Sequence, residues 1–204
     1  MNLPNKITLS RIFIVPLFMV FIVPFPEVSL TNTWFEALIP TLEKTNIFMD
    51  KYGNYLAALI FILAASTDGI DGYIARKRKE ITTFGIFVDP IADKLLVTAA
   101  LVGLLQKNLI SGWVVMILLA REYIVMGLRL VAAAEGTVIK ASKLGKLKTL
   151  AQIIAITLII TNNFPFNYLI RFDISAVFMF IALVITVYSG FDYVKKNKKI
   201  IENR

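Results

Sequence analysis

The chain has 204 residues, 57% of them hydrophobic, with a mean hydropathy of +0.73 and a formal net charge of +8. Ordinary soluble domains hold roughly 45–50% apolar residues, so the composition points to lipid rather than water as the solvent. The sequence contains neither cysteine nor histidine, which excludes disulfide frameworks, thiol nucleophiles, Cys/His zinc sites and histidine bases and leaves the chemistry to carboxylates, Lys, Arg, Tyr, Ser and Thr.

At this length one compact domain, residues 1–204, is expected, filled by about six helices of roughly 20 residues each. Residues Asn2 to Arg11 mix polar and apolar side chains, and Pro4 can open a helix; they are expected to lie as an interfacial segment before the first span, Ile7–Val23. No small-residue cleavage site follows Pro24 and Pro26, so that span is read as retained rather than as a secretory signal. Glu27 to Gly53 is the one long connection, in which Trp34, Phe35, Leu38, Ile39 and Leu42 form either a surface helix or a covered loop. Further apolar runs predict spans at Tyr55–Ile74, Phe87–Leu105, Trp113–Ala134, Leu150–Thr161 (with a start as early as Leu147) and Ile174–Gly190. The expected fold is therefore all-α, a polytopic membrane bundle of six transmembrane helices with an N-terminal interfacial segment.

The positive charge is distributed unevenly between alternate connections. Fifteen Lys and Arg residues fall on one set, among them Lys6, Arg11, Arg76 to Lys79 and the cluster from Lys195 to Arg204; four, Lys44, Lys51, Lys107 and Arg171, fall on the other. The positive-inside rule then puts both termini in the cytoplasm of a multi-pass plasma-membrane protein and makes a nucleic-acid partner unnecessary. The lysine-rich tail reads as a solvated end touching anionic lipid.

Four aspartates depart from this apolar pattern. Each would cost roughly 2.5–3.5 kcal/mol at a bilayer centre, so the set would cost on the order of 10 kcal/mol without compensation. Asp68 and Asp71 are three apart and Asp89 and Asp93 four apart, so each pair projects from one helix face, and a short basic turn makes the two helices antiparallel neighbours. Two divalent cations would neutralise the set, whereas Arg76 and Lys94 alone would not; all-oxygen ligands suit Mg²⁺ or Mn²⁺. The alternative is four helix-end charges paired to Lys77, Arg78, Lys79 and Lys94, an arrangement plausible for one aspartate and much less so for four at paired spacing. Gly69, Gly72 and Gly85 beside the acids would let a phosphate or nucleotide approach the backbone, or serve helix packing.

The run Asp68-x-x-Asp71-Gly72-x-x-Ala75-Arg76, then Gly85-x-x-x-Asp89-x-x-x-Asp93, resembles the signature of the CDP-alcohol phosphotransferases at all eight positions. Looser similarity continues in Pro4-Asn5-x-Ile7-Thr8-x-x-Arg11, in Ala120-Arg121-Glu122 through Gly127-Leu128-Arg129, and in Gly145-Lys146-x-Lys148-Thr149, where it is similar to the bacterial members that use sn-glycerol 3-phosphate. The resemblance implies transfer of the phosphatidyl group of CDP-diacylglycerol to an alcohol with release of CMP, by a six-helix, usually homodimeric membrane enzyme with a two-metal site. It implies Asp68, Asp71 and Asp89 as metal ligands, and Asp93 as both a ligand and the base that takes the acceptor's proton. It assigns Gly72, Arg76, Thr82 and Gly85 to CDP-diacylglycerol, with Asn5 and Thr8 against the same substrate.

Arg121 and Arg129 are eight residues apart, on nearly the same helix face and within or near the membrane, where a cation needs an anion. With Lys146 and Lys148 they are expected to hold the phosphate of glycerol 3-phosphate. The alternative is that Glu122 or Glu135 pairs the arginines; Lys140 and Lys143 are read as topology markers. Serine, inositol phosphate and phosphatidylglycerol are the competing acceptors. An ion-coupled transporter is the rival of a different class; it would place its acids near the midplane, whereas Asp71 precedes Arg76 closely and the group falls toward the cytoplasmic boundary.

Overall fold

Six long helices carry the chain in the computed structural model, which describes residues 3–23, 48–78, 83–134, 143–168 and 172–197; the side chains of 3–8, 50, 68–78, 83–90, 93, 134 and 143 fall outside that description. The helices are α1 (Leu3–Ile22), α2 (Asn54–Arg78), α3 (Thr83–Gln106), α4 (Gly112–Ala134), α5 (Lys143–Ile160) and α6 (Ile174–Lys196), with a π-helical turn at Met49–Gly53 and a 3-10 turn at Phe166–Tyr168. Among the described residues all regular structure is helical, and each apolar run coincides with one helix. The N-terminal interfacial segment is not a separate element: α1 is continuous from Leu3 to Ile22. Pro4 sits in the first turn, where its missing N–H costs nothing, and no glycine or proline interrupts the chain before Pro16. Pro16 stays inside the helix, leaving the carbonyl of Ile12 without its intrahelical donor. The segment around Trp34, Phe35, Leu38, Ile39 and Leu42 lies outside the described residues.

The helices fall into two compact units, Met1–Lys107 and Asn108–Arg204. In the first, α1 packs on both α2 and α3. Its buried stripe is Arg11, Val15, Phe18 and Ile22, the i, i+4, i+7, i+11 spacing of one helix face. It meets Ala57, Ala58, Phe61 and Ala64 of α2 and Ala92, Leu96, Ala99, Ala100 and Leu104 of α3, with the Phe18 and Phe61 rings 5.9 Å apart and tilted by 40°. The alanines allow close helix approach. At two points even a methyl group is too much: a Cβ on Gly103 would lie 2.7 Å from Ile22 Cγ2, and one on Gly53 would lie 2.9 Å from the Phe21 carbonyl oxygen. Lys107, just past α3, donates to Asn54 Oδ1 at the start of α2 (2.6 Å). With 79–82 joining the other ends, α2 and α3 run antiparallel.

In the second unit α6 packs on both α5 and α4. Its inward residues are Ser175, Met179, Ala182, Thr186, Ser189 and Tyr193, a regular heptad stripe that is small and polar. Phe180, Val184, Val187, Tyr188 and Phe191 stand exposed on the same helix. The polarity is thus the reverse of a water-soluble amphipathic helix. This is also the one described helix that passes a length-and-composition test for crossing a membrane, with a mean hydropathy of 2.2 and 28% burial in its most apolar window; Leu9–Ile22 and Lys94–Gln106 are shorter apolar stretches.

The α5–α6 connection is held by polar caps. Asn162 and Asn163 adopt positive φ (52° and 60°). Asn162 N donates to the Ile159 carbonyl (3.1 Å) and Asn163 N to the Leu158 carbonyl (2.8 Å), the paired bonds that close an α-helix on a left-handed residue. Asp173 then caps α6: its Oδ1 accepts from Ala176 N (3.1 Å), Ser175 Oγ (2.6 Å) and Asn163 Nδ2 (2.9 Å). These donors hold the Asp173 carboxyl below the ordinary carboxylate range, the Ser175 and Asn163 side chains contributing most.

Candidate functional site

The acidic set belongs to the first unit. Helical backbone carries Asp68 and Asp71 near the C-terminal end of α2 and Asp89 and Asp93 in the first half of α3. These are the ends of the antiparallel pair that 79–82 connects, so one end of the hairpin gathers all four positions. Gly72 and Arg76 lie on the same stretch of α2, Gly85 on the first turn of α3, and Asn5 and Thr8 on the first turns of α1; Thr82 lies outside the described residues. Among the residues with described side chains, no group of three or more Asp, Glu, His or Cys could hold a metal ion. Carboxylates are hard oxygen donors, the ligand type that divalent cations such as Mg²⁺ and Mn²⁺ take. Arg11, counted by sequence among the loop cations, is instead 1% exposed on the inward stripe of α1.

The cationic set belongs to the second unit, where the four basic residues have different environments. Lys148 of α5 is 2% exposed and pairs with Glu122 Oε1 of α4. Arg121 Nη1 lies 3.9 Å from the other oxygen of the same carboxylate, and Arg121 Nη2 donates to Ser189 Oγ on α6 (3.0 Å), which in turn donates to the Thr186 carbonyl (3.1 Å). Gly190 makes room for this arginine: a Cβ there would come within 3.0 Å of Arg121 Cγ. Glu122 thus engages Lys148 and lies beside Arg121, the pairing weighed from the sequence as the alternative to phosphate for the arginines. Arg129 and Lys146 are exposed. Glu135 and Lys140 lie outside the described residues.

A family model for CDP-alcohol phosphatidyltransferase matches residues 1–188. The chain belongs to the CDP-alcohol phosphatidyltransferase family. Across the family match run both the acidic hairpin and the helices carrying the four basic residues. Among similar proteins, one from Bacillus subtilis (strain 168) is 43% identical over 197 residues, covering 96% of this chain and 95% of the relative. One from Rickettsia bellii (strain RML369-C) is 33% identical over 198 residues, covering 97% and 96%, and one from Escherichia coli (strain K12) is 34% identical over 198 residues, covering 94% and 92%. All three are named CDP-diacylglycerol–glycerol-3-phosphate 3-phosphatidyltransferase.

Sequence reasoning passed over several members of the buried polar interior of this CDP-alcohol phosphatidyltransferase. Gln152 is 2% exposed, one turn beyond Lys148 on α5; its Nε2 has no hydrogen-bond partner, and neither do Thr186 Oγ1 and Tyr193 Oη on α6. Inside an apolar run such residues look neutral one at a time. The signal that could have found them is the heptad recurrence of small and polar residues through Ser175, Thr186, Ser189 and Tyr193.

Proposed function

We propose that the chain is a membrane-embedded CDP-diacylglycerol–glycerol-3-phosphate 3-phosphatidyltransferase, transferring a phosphatidyl group to sn-glycerol 3-phosphate and releasing CMP. The carrying observation is the nearly end-to-end match to relatives of that name at 33–43% identity. The chemistry asks for what the sequence supplies. The acceptor hydroxyl attacks the phosphorus bonded to diacylglycerol, the anhydride bond to CMP breaks, and the hydroxyl proton must go to a base. Asp93 is that base, as the resemblance to the family implies, carboxylates being the only bases in the acidic cluster. Asp68, Asp71 and Asp89, with Asp93 as a shared ligand, would hold two divalent cations, Mg²⁺ or Mn²⁺, which would supply positive charge to the pyrophosphate and the leaving CMP. Gly72, Arg76, Thr82 and Gly85, with Asn5 and Thr8, bind the CDP-diacylglycerol. Arg121 and Arg129, assisted by Lys146 and Lys148, bind the acceptor phosphate, with Glu122 orienting Arg121 and Lys148.

The membrane reading is supported by the outward apolar and inward polar faces of α6 and by the exposed Phe13, Met116, Leu130 and Phe180 on three different helices. We take all six helices as spans, both termini as cytoplasmic, the location as the plasma membrane, and the working unit as a homodimer. The test is CMP release by purified protein supplied with CDP-diacylglycerol, Mg²⁺ or Mn²⁺, and each of glycerol 3-phosphate, serine, inositol phosphate and phosphatidylglycerol. Release dependent on glycerol 3-phosphate is expected; release with another acceptor alone would reassign the substrate, and no release with any would remove the activity.

A further inference from the structure

The interior of the second unit contains hydrogen-bond donors that the protein leaves unused. Tyr193 is 6% exposed, and its hydroxyl has no hydrogen-bond partner. Arg121 Nε is likewise buried without one, while the terminal nitrogens of that guanidinium are turned to Ser189 and toward Glu122. The two belong to one α4–α6 contact. Ser189, which receives Arg121, precedes Tyr193 by one turn on the inward stripe, and Arg129 follows Arg121 by about two turns on α4. Buried donors are expensive to leave unsatisfied, and helices this closely packed would ordinarily place a carbonyl or hydroxyl opposite them.

An oxyanion with several acceptor oxygens satisfies both donors together, and the positive surroundings favour it. We propose that Tyr193 is a specificity-determining residue of the acceptor site, its hydroxyl donating a hydrogen bond to the acceptor's phosphate between Arg121 and Arg129. This rests on the acceptor reading given above and adds a neutral, directional donor to a set otherwise made of cations. If Tyr193 only fills space on the α6 stripe, losing its hydroxyl changes nothing about anion binding.

The experiment compares wild type, Tyr193→Phe and Tyr188→Phe, the last removing an exposed hydroxyl from the same helix. Full-length protein in detergent or nanodiscs is titrated with sn-glycerol 3-phosphate and with inorganic phosphate, following the thermal midpoint, and CMP release is measured across both substrates. Wild type and Tyr188→Phe are expected to gain stability with either anion. Tyr193→Phe should match or exceed the wild-type midpoint without ligand, since an unsatisfied hydroxyl has gone, yet need about tenfold more of either anion for the same gain. Its KM should rise by a similar factor for glycerol 3-phosphate and not for CDP-diacylglycerol. Equal anion binding by Tyr193→Phe and wild type overturns the proposal, as does a wild type that neither anion stabilises. Should anion binding depend on Tyr193 while CMP release requires a different phosphorylated acceptor, the role of Tyr193 stands and only the identity of the acceptor falls.

Discussion

Replacing Glu122 with Gln removes the negative charge against which Lys148 is buried and beside which Arg121 is held. The side chains of Lys148 and Glu122 are 2% and 7% exposed, and that of Arg121 is 12% exposed, so water offers little replacement solvation. Breaking a buried pair by removing one partner costs roughly 3–5 kcal/mol, whereas replacing both partners by apolar groups of similar volume is often neutral. At about 2–4 °C per kcal/mol for a chain of this size, Glu122→Gln should lower the thermal midpoint by on the order of 10 °C. Glu122→Leu combined with Lys148→Met should recover most of that loss. Unfolding of detergent-solubilised protein, followed by helical circular dichroism, reads the stability; CMP release reads the function. The reasoning predicts that the double variant is stable and poorly active at low glycerol 3-phosphate, because it keeps the packing and loses the cation and its orienting carboxylate. A Glu122→Gln protein as stable as wild type would refute the buried-pair argument. A stable double variant with an unchanged acceptor KM would remove Lys148 from the acceptor site while leaving its structural role intact.

Asp93→Asn should retain the fold and lose roughly 10²–10⁴-fold in CMP release, the usual contribution of a positioned base; full activity would remove its assignment. Gly103→Ala should destabilise by about 1–3 kcal/mol, because the new methyl would press on Ile22. Gly127→Ala, where a Cβ would meet nothing within 4 Å, should instead stabilise by about 0.5–1 kcal/mol in chemical or thermal unfolding. Asp173→Ala removes the α6 cap and should cost about 1 kcal/mol at neutral pH. Because the folded carboxyl is held below its ordinary value of 3.8, that stabilisation is fully present above the ordinary value and disappears as pH falls through the lowered one. The difference between wild type and Asp173→Ala should therefore shrink in acid.

The helices were legible because each is a long apolar run with polar ends, a signal that depends only on local composition. The acidic hairpin was legible because spacings of three and four residues mean the same thing on any helix, wherever the rest of the chain lies. The Glu122–Lys148 pair was not, since its partners sit on different helices and nothing in either local sequence records which face of α5 meets α4. Arg11 misled for a related reason: near the N-terminus it looks like one more loop cation, and only its register with Val15, Phe18 and Ile22 on a continuous α1 places it inward. The outcome at the N-terminus turned on the same continuity. Mixed polarity over Asn2 to Arg11 suggested a segment distinct from the first span, but no residue after Pro4 breaks a helix there, and propagation into α1 costs less than a bend that would expose backbone groups.

The acidic set lies in one unit and the basic set in the other, and the substrates explain why both signs are needed. Both substrates are phosphate esters and therefore anions at neutral pH. A carboxylate repels a phosphate unless a cation stands between them, so in the proposed reading the aspartates of α2 and α3 would serve the donor only through bound metal. The arginines of α4 need no such intermediary, and in an apolar helix they are tolerable only when an anion accompanies them. Glu122 supplies that anion permanently to Lys148 and in part to Arg121, which keeps α4 and α5 stable before any substrate arrives. Yet one carboxylate does not saturate the set: Arg121 Nε remains buried without a partner, and Arg129 stands exposed. A fully compensated cluster would be a structural salt bridge with no affinity left for a phosphate, and an uncompensated one would not survive in lipid. Under the proposed acceptor role, partial compensation by a single glutamate would meet both demands.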